Sequence, residues 1–159
     1  MLEFLRPDIA TLAGTWQGRG RGDYPTIATF DYEETLTFKQ IPGKPFLVYT
    51  QKTVGPNGPM HSESGFLRRG EPGRVEFTIA QPTGQTELLE GVIKRDKQDI
   101  VLDFRRSTVT NSSTAKRVDQ TQRIYHLSGD SLYTEFHMAA VNEPMQQHLA
   151  SELRRSSHK

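Results

Sequence analysis

Cysteine is missing from this chain altogether. That absence excludes a disulfide framework, thiolate zinc sites, iron–sulfur ligation and a cysteine nucleophile. An excess of charge of one sign is missing too: 20 Lys plus Arg stand against 19 Asp plus Glu, a formal net charge of +1. There is therefore no whole-molecule field to gather nucleic acid or anionic lipid. The basic pairs Arg19 with Arg21, Arg68 with Arg69 and Arg154 with Arg155 read as solvated surface charge. No uncharged apolar stretch approaches membrane-spanning length, and the start, Met1-Leu2-Glu3-Phe4-Leu5-Arg6-Pro7, has neither the basic head nor the apolar run of a secretory leader. A cytoplasmic protein without nucleic-acid or membrane partners is the expectation. Gly-x-Ser-x-Gly is absent as well, which removes the nucleophile elbow of a serine hydrolase.

What is present begins with glycine. At 159 residues one domain is expected, spanning 1–159. Near its start stands Gly14-Thr15-Trp16-Gln17-Gly18-Arg19-Gly20-Arg21-Gly22, where every second position after the only tryptophan carries no side chain. Such a strand lets another backbone or a flat ligand lie close against it. Phe30, Tyr32, Leu36 and Phe38 then alternate with Asp31, Glu33, Thr35 and Thr37, one apolar face and one wet face, and only Glu34 breaks the pattern. Further period-two runs cover 46–52, 60–68, 74–80, 85–94, 99–107, 118–127 and 132–141, separated by Pro42-Gly43, Asn57-Gly58, Pro72-Gly73, Pro82 with Gly84, and Ser128-Gly129-Asp130. With residues 108–114 as a short strand or a loop, nine or ten strands result.

Short strands at this spacing predict a meander, and closing it into a barrel removes its edges. The fold class expected is all-β, an antiparallel up-and-down β-barrel of about ten strands, with a short N-terminal helix around 7–13 and a C-terminal helix. About ten strands enclose more space than their own side chains fill, so a small-molecule cavity is expected. On the last strand Met138 points inward and His137 outward. The C-terminal helix is read from Asn142-Glu143-Pro144, a cap and first turn, followed by Met145, Leu149 and Leu153 at spacing four. His148 lies beside that apolar stripe.

The motif chain Gly14-x-Trp16-x-Gly18-x-Gly20, Tyr24-Pro25-Thr26-Ile27, Phe30-x-Tyr32-x-Glu34, Gly43-Lys44-Pro45-Phe46, Met60-His61-x-Glu63-x-Gly65 and Met138-Ala139-Ala140-Val141, leading into Pro144-Met145-x-x-His148-Leu149, resembles the nitrobindins over nearly the whole sequence. The resemblance implies a ten-stranded barrel related to lipocalins and fatty-acid-binding proteins that holds one haem b per chain at its mouth. It also implies a peroxynitrite isomerase that converts peroxynitrite to nitrate and reversibly binds nitric oxide, and it allows a homodimer. By the same resemblance His148 is the axial ligand of the haem iron and Met138 lies on the proximal side. Met60 and His61 lie over the distal face, and Thr26 lies near the haem; no catalytic residue beyond the iron is implied. A single imidazole on ferric haem leaves the sixth position open, which suits a small ligand better than electron transfer.

Period two places Met60 and His61 on opposite faces of a strand, so both reach a haem only if the strand end bends. Two other readings come from different classes. The barrel could carry a fatty acid without haem, with Arg123 holding the carboxylate, since similar barrels serve many ligands. His61, His137 and His148 could form a zinc site, which the outward direction of His137 and the lack of a short-spaced ligand pair oppose.

Overall fold

A computed structural model describes residues 7–156. Ten strands follow one another: β1 (Gly14–Tyr24), β2 (Ile27–Gln40), β3 (Phe46–Gly55), β4 (Gly58–Arg69), β5 (Arg74–Ala80), β6 (Gln85–Asp96), β7 (Asp99–Asn111), β8 (Val118–Ser128), β9 (Ser131–Ala140) and β10 (Gln146–Arg155). Each pairs antiparallel with its sequence neighbour, and β1 pairs with β10 to close the ring. The turns are those that the Gly and Pro signals mark; at the β3–β4 turn Gly58 has φ +107°, open to glycine and strained for a side chain. No helix among the described residues is long and apolar enough to cross a membrane.

Both expected helices need correction. Among the described residues of the expected N-terminal helix only a 3-10 turn, Ile9–Leu12, forms, its first turn capped by the Asp8 carboxylate accepting from the Ala10 N–H at 3.2 Å. It ends there because side chains take the carbonyls a longer helix would use: Trp16 Nε1 donates to Leu12 O at 2.9 Å, and Arg155 donates to Thr11 O at 3.0 Å and to Ala13 O. At the C-terminus, the segment read as a helix is β10. Spacing four is ambiguous, since Leu149 and Leu153 share a face both as i, i+4 of a helix and as i, i+4 of a strand. The barrel decides it: without β10 both β1 and β9 would be unpaired edges, and with it they are covered. Val141 and Asn142, with φ +46° and +64°, turn the chain back instead of starting a helix. The tenth strand is thus Gln146–Arg155, while residues 108–111 prolong β7.

Inward residues divide the barrel along its axis. One end is closed by an apolar core, with Trp16, Leu36, Phe38, Phe77, Leu102 and Phe104 all at 1% exposure or less, and the 3-10 turn tucks Ile9 and Leu12 beneath it. The Arg155 guanidinium covers the Trp16 ring at 4.2 Å. The glycines of β1 serve close approach, as expected: a Cβ at Gly18 would sit 2.0 Å from the Glu152 carbonyl oxygen, and one at Gly22 would sit 2.1 Å from the Phe30 ring.

Candidate functional site

The other end of the barrel opens into a cavity of about 700 Å³, within the range of ligand pockets. His148, Met138, Thr26, Met60 and His61 all border it. His148 reaches it from a strand, by way of a bulge. Gln147 pairs with His137 and Leu149 with Phe136, so His148 is the extra residue between them. Strict alternation would turn it outward, because Leu149, Ser151 and Leu153 hold the inward phase, and the bulge re-aims it.

The imidazole is fixed on both sides. Its Nδ1 lies 2.9 Å from the Asp23 carbonyl oxygen; a carbonyl only accepts, so Nδ1 carries the proton and Nε2 keeps a free lone pair. No described residue hydrogen-bonds Nε2. The rings of Tyr24, Phe30 and Phe136 pack edge-on at 5.3, 6.2 and 6.1 Å. Burial pulls the His148 pKa down against the Asp23 hydrogen bond, which favours the neutral ring. Tyr24 holds the adjacent wall: its hydroxyl accepts the Ala140 N–H at 2.9 Å and lies 3.2 Å from Ala140 O and 3.3 Å from Met138 O. Met138 itself points inward on β9, as expected, and Thr26 occupies the β1–β2 turn at the rim.

Met60 and His61 lie on the far wall, four strands round the ring from β10. A second bulge brings both to the cavity. Thr53 pairs with His61 and Val54 with Pro59, so Met60 is the extra residue and the strand end bends as joint access requires. His61 Nε2 lies 3.1 Å from Glu63 Oε1. In the neutral ring the proton therefore sits on Nε2, and Nδ1 is an acceptor. Ile27, Met60 and Val141, at 46%, 47% and 42% exposure, leave an apolar rim open around the mouth. His61, His137 and His148 are not brought together, and among the described residues no three His, Asp or Glu side chains gather as a metal site. His137 faces away beside Glu135, at 3.8 Å.

Between mouth and closed end lies a polar layer that sequence reasoning largely missed. Arg123 sits at its centre, donating to Glu63 from Nη1 at 2.6 Å and from Nη2 at 3.3 Å, and to Glu87 from Nη2 at 2.6 Å and from Nε at 3.2 Å. Tyr49 donates to Glu63 at 2.7 Å and Thr121 to Glu87 at 2.7 Å. Burial alone would raise the Glu63 pKa, but Arg123 and the hydrogen bonds from His61, Arg123 and Tyr49 bring it down to about 2. The available signal was phase: residues 34, 51, 63, 87, 121, 123 and 151 are polar residues at inward positions on six strands.

Residues 7–155 match the family described as "THAP4-like, heme-binding beta-barrel domain". The chain is 46% identical over 156 residues to the "Peroxynitrite isomerase" of Nocardia farcinica, covering 95% of this chain and 92% of that protein. It is 42% identical over 158 residues to "Peroxynitrite isomerase 2" of Mycobacterium marinum, covering 96% and 98%. The crystal structure of Rv2717c from M. tuberculosis superimposes with a TM-score of 0.89 at 40% identity, over 98% of this chain and 97% of that one.

Proposed function

Because the chain belongs to the THAP4-like haem-binding β-barrel family, we propose that it is a haem-dependent peroxynitrite isomerase, one barrel domain holding one haem b on His148. The observation that carries the reading is the bulged imidazole, with Nδ1–H spent on the Asp23 carbonyl and Nε2 free at the cavity. This is the backbone-oriented arrangement of a metal-ligating histidine. The apolar rim of Ile27, Met60 and Val141 supplies a face for the macrocycle, with Met138 and Thr26 beside it. Haem held there would supply a Lewis-acidic iron for a small ligand such as peroxynitrite or nitric oxide.

The chain's own residues orient and shield. Tyr24, Phe30 and Phe136 hold the His148 ring edge-on. On the far wall His61 in its neutral form donates its Nε2–H to Glu63 and Met60 is apolar, so neither side chain donates a hydrogen bond to a bound ligand. That disfavours dioxygen storage. The fatty-acid reading loses the anchor expected for it, because Arg123 is committed to Glu63 and Glu87. Two protein copies in a dimer and a cytoplasmic setting belong to the same proposal. Haem-loaded protein should accelerate peroxynitrite decay beyond an equal concentration of free haem and raise the share recovered as nitrate. Decay no faster than with free haem would leave a haem store or sensor as the better reading.

A further inference from the structure

Glu34 is the one residue that breaks the alternation of β2, and the structure turns it into the barrel rather than out of it, at 5% exposure. Its neighbours are unusually placed. Ser151 Oγ donates to Glu34 Oε1 at 3.1 Å, Gln51 Nε2 lies 3.4 Å from the same oxygen, and the Tyr32 hydroxyl lies 2.9 Å from Ser151 Oγ. The glycine strand makes the room: a Cβ at Gly20 would stand 2.3 Å from Tyr32 Cζ and 2.4 Å from Ser151 Oγ. This glycine therefore houses a Tyr32–Ser151–Glu34 line that no larger residue would allow.

The line is short of protons. Both protein donors fall on Oε1, Glu34 Oε2 has no partner among the described residues, and Gln51 Oε1 is buried without one. The local charge is short of cations as well. Arg123 is committed to Glu63 and Glu87, so that trio already carries a net negative charge before Glu34 is counted. One proton on Glu34 Oε2 removes the surplus charge and leaves a donor that no described protein acceptor takes up.

We propose that Glu34 is a proton-bearing acid bordering the cavity, which in its protonated form admits a small oxyanion and presents it a hydrogen-bond donor, and in its ionised form repels it. Glu34 is thus a specificity-determining residue for the anionic substrate, so its catalytic meaning rests on the isomerase reading, while the protonation itself does not. Burial is the chief cause raising the Glu34 pKa, to about 7, with Glu63 adding to it against the Ser151 and Gln51 hydrogen bonds and Arg123. The ionisable groups facing it are Tyr32 on its own strand, Tyr49 on β3, Glu63 on β4, and Arg123 and Tyr125 on β8; β10 contributes Ser151. His61 stands behind Glu63 and His148 near Phe30, towards the mouth. The tyrosines are held protonated, burial first, by the same burial that raises Glu34.

Infrared titration of the full chain without haem, using isotope-labelled glutamate, reads the proton directly. A protonated-carboxyl band should persist to neutral pH, vanish by about pH 9 and be missing from Glu34→Gln. No such band above about pH 6, or the same band in Glu34→Gln, overturns the proposal whatever the haem does. Ser151→Ala removes one donor without adding bulk, and should move the midpoint of the band upward; an unmoved midpoint contradicts the assigned line. Azide then probes the anion effect in haem-loaded protein. Between about pH 6 and pH 8.5 its affinity should fall about tenfold more steeply in wild type than in Glu34→Gln, as expected of one added interior charge. Equal slopes in the two proteins defeat the specificity role even if the infrared result stands.

Discussion

The closed and open ends of this barrel share ten strands and one alternation of inward residues, yet fill the interior in opposite ways. At the closed end aromatic rings and aliphatic chains interlock, Phe77 meeting Tyr49 edge-on at 4.8 Å and Phe104 at a tilt at 5.7 Å, with Trp16 as the plug. At the open end the strands stop alternating. Two bulges, at Met60 and at His148, spoil the ladder and turn polar or soft side chains into a cavity that the protein does not fill. One end holds the fold together, and the other gives up packing for a cavity. The polar layer around Arg123 separates them.

Substitutions should respect that division. Trp16→Ala, in the closed end, is expected to cost about 3–5 kcal/mol of folding stability in urea titration, with haem affinity of the folded fraction unchanged. A matching loss of haem affinity would mean that the two ends are coupled. Arg123→Leu should cost about 3–4 kcal/mol, because it leaves Glu63 and Glu87 buried without a counter-charge. If Glu63→Gln and Glu87→Gln added to Arg123→Leu failed to restore stability, the layer would owe its strength to packing instead.

The pH dependence sharpens the contrast between two carboxyls of the same layer. Glu34 is raised on folding from 4.5 to about 7, so the folded state binds more protons than the unfolded one across that window. Its contribution is present at low pH and lost as pH rises to about 7. Glu63 is lowered from 4.5 to about 2, so its contribution is present above about 4.5 and lost as pH falls towards 2. Glu34→Gln should therefore be more stable than wild type at pH 8, by about 1–3 kcal/mol, relative to the difference at acid pH. A pH-independent difference in thermal unfolding would show that Glu34 ionises normally. The smallest effect is expected for Tyr24→Phe, which leaves the Ala140 N–H without its acceptor: about 1 kcal/mol in stability and about tenfold in haem affinity.

Much of the closed end was legible in the sequence because alternation is a local signal, carried for example by Leu36 and Phe38 against Thr35 and Thr37. The open end was less so. The residues that border it could be named from the motif chain, but a bulge inserts a residue without a residue type of its own, so neither Met60 nor His148 announced how it would face inward. The C-terminal segment misled because Leu149 and Leu153 suit helix and strand alike, and the deciding partner, β1, lies more than a hundred residues away. Arg123 stood out as a buried cation, yet its occupants come from β4 and β6, separated by 60 and 36 residues, and only the closed ring brings them together.

The central claim is that the bulged imidazole on β10 binds haem iron through Nε2, and titration of haem-free wild type and His148→Ala with haemin tests it most directly. Wild type should saturate at one haem per chain with a sharp Soret band. His148→Ala should keep wild-type unfolding behaviour while its haem affinity falls by more than about 100-fold. Equal affinity with an unchanged spectrum in the variant would contradict the account.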